Sequence, residues 1–180
     1  MLTNPVKEYF AIHDVVVLTK FSKSMLDYLA RENIFRPSSA KSSGKGIHRR
    51  YSYADVVLLR ALHAICVGSG RIRNLKAALV AFRREVGPLP PGRELSAHLL
   101  VQGNKLCMAT ENGPVELVSR QYTLPLVVDL PGISREIAKS IRVDPHSPKH
   151  FTLAPKIALK AETERVRIWG KIKENRERKT

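Results

Sequence analysis

Cysteine is scarce in this chain. Cys66 and Cys107 are the only two in 180 residues, too few for a disulfide scaffold. Neither belongs to a Cys-x-x-Cys pair, so both are expected in the core and no metal or other cofactor is expected. His146 and His150 stand four apart, but Pro148 lies between them and argues against a helical metal pair. No apolar run reaches the ~20 residues that cross a bilayer. The first residues lack the basic-then-apolar order of a secretory leader. A cytoplasmic protein is therefore expected. A Gly-rich phosphate loop, a Gly-x-Ser-x-Gly elbow and a cluster of paired carboxylates are all missing, so the sequence offers no enzyme signature.

Acidic residues are the other shortage. Sixteen Asp and Glu face 31 Lys and Arg, giving a net charge of +15, while a hydrophobic content of 43% allows a real core. The excess is uneven. Residues 1–84 carry 15 basic and 5 acidic side chains, residues 85–150 carry 7 of each, and residues 151–180 carry 9 and 4. A basic N-terminal part beside a neutral middle points to a module that binds a polyanion, joined to a segment with another task.

The run Gly87-Pro88-Leu89-Pro90-Pro91-Gly92 cannot continue a helix, because proline lacks the amide donor and clashes with the preceding turn. Before it the pattern is helical. After it, short strands are expected at 99–101, 105–109, 115–118 and 124–128, separated by Gln102-Gly103-Asn104 and Glu111-Asn112-Gly113-Pro114. Pro131-Gly132 then precedes an amphipathic stretch, 133–141, expected as a short helix. Asp144-Pro145-His146-Ser147-Pro148 breaks the chain, and 156–179 is helix-prone and highly charged. In that tail Ile157, Ala161, Val166, Ile168 and Trp169 make a narrow, irregular apolar stripe.

Four short helices fit residues 12–84. The first, 12–19, places Ile12, Val15, Val16, Leu18 and Thr19 at helical spacing. Phe21-Ser22 makes a tight turn, and the Ser22 or Ser24 hydroxyl can cap the next helix, 23–32, with Met25, Leu26, Leu29 and Ala30 inward. Two short helices on so short a turn are the helix-turn-helix arrangement, whose second helix presents its first residues to base edges and phosphates. Here those are Ser22, Lys23, Ser24 and Asp27. Residues 36–51 are rich in Ser, Gly and cations and are flanked by core-forming helices. That favours a β-hairpin wing along a nucleic-acid backbone, with Lys41, Lys45, His48, Arg49 and Arg50 neutralising phosphates. Ser52-Tyr53-Ala54-Asp55 is a capping signature opening a helix over 53–67 that buries Val56, Leu59, Leu62 and Ile65. A fourth helix, 71–84, starts with Arg71 and Arg73, where a phosphate could also dock.

Over roughly residues 11–80 this order resembles the MerR family of bacterial transcription regulators. The opening helix and turn resemble Ile12-His13-Asp14-Val15 through Phe21-Ser22, and the recognition helix resembles Ser24-Met25-Leu26-Asp27-Tyr28. His48-Arg49-Arg50-Tyr51-Ser52-Tyr53-Ala54-Asp55-Val56 is similar to the family's junction of wing and helix, and Ile72-Arg73-Asn74-Leu75-Lys76 to its fourth helix. The chain departs from the pattern at Asp27, where the family usually has Arg, at Leu29, where it has an aromatic, and at Lys20, where the turn has Gly. The β-rich segment resembles a group of MerR-like proteins linked to toxin–antitoxin pairs.

The expected fold is α+β: a MerR-like winged helix-turn-helix of four short helices plus wing, then a small β-rich domain with a short helix and a basic C-terminal helical tail. Its parts are an N-terminal arm (1–10), the DNA-binding domain (11–86), a Pro/Gly-rich linker (87–97), a dimerisation or partner-binding domain (98–145) and the tail (146–180). The resemblance and the charge imply a bacterial, nucleoid-associated regulator that binds double-stranded DNA as a homodimer on an inverted repeat. The alternatives are an antitoxin-type autorepressor binding a toxin through residues 98–180, and a phage-type architectural or excision factor.

Overall fold

A computed structural model describes residues 6–38, 49–69, 83, 87–94, 98–102, 105–110, 113–115 and 126–177. The expected Lys41, Lys45, His48, Arg71 and Arg73 contacts lie outside them, as does the helix expected over 71–84 except for Arg83, which is helical. The described residues are a mixture of helices and antiparallel strands, an α+β arrangement.

α1 (Ile12–Thr19) and α2 (Lys23–Arg31) are joined by Lys20, Phe21 and Ser22. Asp14 opens α1 by accepting from the Ala11 amide at 2.9 Å. The same carboxylate takes the Lys7 ammonium at 2.7 Å, and it is wholly buried. The apolar spacing of α1 hides this polar anchor among Val15 and Leu18. Lys20 ends the helix in the left-handed region, at φ 67°, the conformation for which a glycine is the usual choice. Ser22 then caps α2 by accepting from the Met25 amide at 3.2 Å, and Leu26 and Leu29 are buried while Met25 and Ala30 are half-buried.

α3 (Tyr53–Ser69) is the central helix. Val56, Val57, Leu58, Leu59, Ala61, Leu62 and Ile65 are all buried, so it is covered well beyond the one face that its i, i+3 spacing suggests. Its start is a capping box in which Asp55 takes the place of Glu: the Asp55 amide donates to Ser52 Oγ at 3.1 Å, and the Ser52 amide donates to Asp55 Oδ2 at 3.0 Å.

Downstream, β1 (His98–Gln102), β2 (Lys105–Thr110), β3 (Gly113–Val115) and β4 (Leu126–Val128) form one antiparallel sheet in the order β3-β2-β1-β4. Gln102 pairs with Lys105 at the closing end of the β1–β2 hairpin, and Leu100 with Val127 across β1 and β4. β3 starts two residues before the expected strand at 115–118, so Gly113 and Pro114 lie in it rather than in the turn. Residues 116–120 are outside the described set.

α4 (Leu130–Ala138) begins three residues before the expected position, because Asp129 caps it by accepting from the Gly132 amide at 2.9 Å and Pro131 fits in the first turn. It ends before Ile141, which opens β5 (Ile141–Asp144). β5 pairs with β6 (Ser147–Leu153). The expected break at 144–148 is therefore a hairpin turn, and the boundary expected at 145/146 runs through it. The His146 amide donates to Asp144 Oδ1 at 2.9 Å, and Pro145 supplies the fixed φ that a turn uses. Pro148 needs no ladder partner, since the register shifts between Val143, opposite Phe151, and Asp144, opposite Ser147.

The N-terminal residues expected as an arm are held in this fold from Lys7 onward. Lys7 and Phe151 exchange backbone hydrogen bonds of 2.7 and 2.8 Å, Phe10 and Tyr51 do the same at 2.8 and 3.0 Å, and Phe10 stacks on Phe151 with ring centroids 4.4 Å apart. α5 (Pro155–Glu177) packs along α1. Its Ala161 and Ile168 are buried, while Leu159, Val166 and Trp169 are exposed, so the tail stripe read from the sequence divides between two faces.

A single core unites these parts. Val15, Leu59 and Leu62 belong to the same buried cluster as Val128, Leu130, Ile137, Phe151 and Ala161. α3 meets both β4 and α4, where the Tyr53 hydroxyl donates to the Ser134 carbonyl at 3.1 Å. The expected linker joins this core as well: Leu89 is buried in it, and Gly87 and Gly92 make their bends at φ 59° and 80°. Among the described residues no helix is long and apolar enough to cross a membrane.

Candidate nucleic-acid interface

The start of α2 gathers four of the residues expected to contact a polyanion. Ser22 and Ser24 are exposed, with their hydroxyls 3.1 Å apart. Lys23 lies one turn before Asp27 on the same helix, and its ammonium reaches Asp27 Oδ2 at 2.6 Å. The other carboxylate oxygen, Oδ1, receives Arg49 Nη1 at 2.7 Å from the far side of segment 39–48. Lys23, Asp27 and Arg49 are each about one-third exposed, at 36, 36 and 35%. They make one ion cluster with a net charge of +1. Arg50, beside it, is exposed.

The electrostatics of this cluster favour a permanent cation. Burial works against the Arg49 charge, but a hydrogen bond with Tyr51 and the nearby Asp27 outweigh it and raise its pKa above the ordinary value. Burial also pushes the Tyr51 phenol upward, with Arg49 opposing that shift. Tyr51 in turn is fixed by its backbone exchange with Phe10, so the Arg49 side chain extends from an anchored strand-like bridge.

A second constellation was not anticipated as a site. Asp55 is wholly buried and accepts from the Ser38 amide at 2.9 Å, from Ser38 Oγ at 2.7 Å and from the Ser52 amide. The Arg83 guanidinium pairs with its other oxygen. Arg83 also donates to the Arg36 carbonyl at 2.6 Å and lies over the Phe35 ring at 4.9 Å. The Ser38 and Ser52 hydroxyls are themselves hydrogen-bonded, 2.9 Å apart. Ser38 lies near the start of the segment expected as a wing, 36–51, and Ser52 directly follows it, so both ends of that segment are clasped on one buried carboxylate. The capping spacing marks Ser52 and Asp55 in the sequence; nothing local marks Ser38 or Arg83 as their partners. A cleft of about 370 Å³ opens beside the clasp, lined by Ser38, Ser52, Asp55, Arg83, Pro88 and Leu89.

Three further groups, Cys66, His63 and Tyr53, are shifted by burial away from this cluster. Cys66 is half-buried, and burial pushes its thiol up to about 11. His63 packs edge-on against Phe21, with its pKa lowered by burial and by Arg60 and Lys20. Tyr53 is pushed up to about 12 by burial and by the charge of Glu94. No model of a known protein family matches this chain, and no curated protein matches it.

Proposed function

We propose that the protein is a sequence-specific regulator of transcription that binds double-stranded DNA through a MerR-like winged helix-turn-helix. In this reading α1, the Lys20–Ser22 turn and α2 are the helix-turn-helix, and segment 36–51 is the wing. The observation that carries it is the joining of Lys23, on the leading turn of α2, to Arg49, at the foot of the candidate wing, in a single partly exposed cluster. A recognition helix enters the major groove by its N-terminal residues while the wing lies on the flanking backbone, so both elements have to share a face. The clasp of Ser38 and Ser52 on Asp55 supports a wing whose two ends are fixed. The excess of cations in residues 1–84 supports phosphate contact by Lys41, Lys45, His48, Arg49 and Arg50, with Arg71 and Arg73 as further contacts.

One such module touches few base pairs, so the regulator acts as a homodimer on an inverted repeat. The exposed Leu159, Val166 and Trp169 of α5 support contact with another chain.

The test is selection of genome fragments by the full-length protein at physiological salt, followed by footprinting. A palindromic footprint that disappears in the Lys23→Ala and Arg49→Ala proteins is expected. Arg49→Ala should also lower the salt slope of binding by about one unit. Binding with no sequence preference, or none at all, refutes the regulator.

A further inference from the structure

Asp27 has the wrong sign for a surface that meets a polyanion. A lone carboxylate on the leading face of α2 would repel phosphates, and removing it would only strengthen binding. The geometry shows a different situation. Lys23 occupies one carboxylate oxygen at 2.6 Å and Arg49 the other at 2.7 Å, so the charge is neutralised by two partners from separate parts of the chain. The same two contacts fix the plane of the carboxylate. Each oxygen accepts two hydrogen bonds, so each retains one acceptor site, and the side chain is about one-third exposed. Arg49 gives Nη1 to Asp27 and keeps other N–H donors for a phosphate.

We infer that Asp27 is a base-reading residue that accepts a hydrogen bond from the N4 amino group of a cytosine in the major groove. This rests on the DNA-binding reading above. An ionised carboxylate only accepts, and the major groove offers amino donors at cytosine N4 and adenine N6 alone. Adenine places its N7 acceptor beside N6, which opposes an incoming carboxylate; cytosine has only a C–H at the neighbouring edge. Guanine offers two acceptors there, and thymine an acceptor and a methyl group. Lys23, which only donates, is one turn closer to the helix start and suits guanine O6 and N7. Lys23 and Asp27 together therefore select G·C pairs of defined orientation.

The experiment selects sites from a random duplex library with full-length wild-type protein, Asp27→Asn and Asp27→Ala, then measures affinity for each single-base change in the wild-type site. Asp27 sits in a surface cluster and both changes are small, so thermal unfolding of the variants should match wild type closely. The wild-type half-site should contain one position fixed as cytosine. Asp27→Asn should move the preference at that position alone toward adenine, by about ten-fold or more, since an amide bonds N6 and N7 together. Asp27→Ala should flatten that position, leave the others unchanged and bind unrelated duplex more tightly. A wild-type protein that selects a site, with both variants keeping the same preference at every position, overturns the inference and leaves the regulator intact; Asp27 then only holds Arg49. A wild-type protein that selects nothing refutes the regulator, and the base-reading role falls with it.

Discussion

Arg83 lays its guanidinium on the Asp55 carboxylate, and the two are unequally exposed: the Asp55 side chain at 1%, that of Arg83 at 32%. A buried carboxylate deprived of its partners carries the larger penalty, because it has no water to turn to, whereas the Arg83 head can reach solvent. The guanidinium also serves the Arg36 carbonyl and the Phe35 ring, which an ammonium cannot do with the same fork.

The first prediction concerns that pair. Asp55→Ala removes the capping box, both Ser38 bonds and the ion pair, and is expected to cost about 3 kcal/mol in urea unfolding. Arg83→Lys keeps the charge but loses the fork and the ring contact, and should cost about 1 kcal/mol. A loss as large for Arg83→Lys as for Asp55→Ala would mean that the guanidinium fork, and not charge alone, holds the clasp.

The second concerns the entry to α4. A Cβ on Gly132 would stand 2.2 Å from Asp129 Oδ2 and 2.8 Å from its Cγ. The Asp129 side chain must swing away to admit it, and the cap on the Gly132 amide is lost. Alanine is the better helix former by up to about 1 kcal/mol, so the two effects oppose. Gly132→Ala should therefore be more favourable in an Asp129→Ala protein than in wild type, by about 1 kcal/mol in a double-mutant cycle. A cycle that closes to zero refutes the clash.

The helices were the legible part of the fold, because their determinants are local. α1, α2 and α3 follow from apolar residues at three- and four-residue spacing, bounded by Ser22 and Ser52 as caps. The β1–β2 hairpin follows from two apolar runs around Gly103-Asn104. The β5–β6 hairpin was hidden because Pro145 and Pro148 read as breakers, although one lies in a turn and the other at a register shift, places where a missing amide costs nothing. The attachment of Lys7 and Phe10 was hidden for a different reason. Their partners, Phe151 and Tyr51, are far away in sequence, and no periodicity encodes such a bridge. At the candidate interface the α2 residues could be read from the turn, but the ion cluster could not. Asp27 meets Arg49 across 22 positions, and the sequence gives only their charges.

The third prediction concerns the turn between α1 and α2. Lys20 holds φ 67° without being glycine, which costs a residue with a Cβ about 1 kcal/mol or more. Lys20→Gly should remove that strain and raise the unfolding free energy by up to about 1 kcal/mol, after the greater freedom of glycine in the unfolded chain is deducted. Lys20→Val should lower it by at least a similar amount, since a β-branched residue tolerates this region least. Thermal unfolding distinguishes them: a lower midpoint for the glycine protein than for wild type would show that the lysine side chain contributes more than its backbone costs.

The fourth follows from His13, which sits where α1 meets α5. Burial lowers its pKa below the ordinary 6.5, and Lys7 and Arg165 lower it further against the opposing pull of Asp14 and Glu162. Asp14, 3.4 Å from the ring, is the strongest of the opposing charges, but Lys7 stands on the same carboxylate at 2.7 and 2.9 Å and its repulsion works with burial, so the net shift stays downward. With the folded value below the unfolded one, the unfolded chain binds the extra proton first. Stability is therefore full above pH 6.5, falls as the pH drops from there to the folded-state value, and loses nothing further from this group below it. The slope for one proton cannot exceed about 1.4 kcal/mol per pH unit. His13→Gln should flatten part of this fall, leaving the part due to His63, whose pKa is lowered in the same direction. Urea unfolding of both proteins between pH 5 and 8 provides the check, and parallel curves for wild type and His13→Gln would place the titration elsewhere.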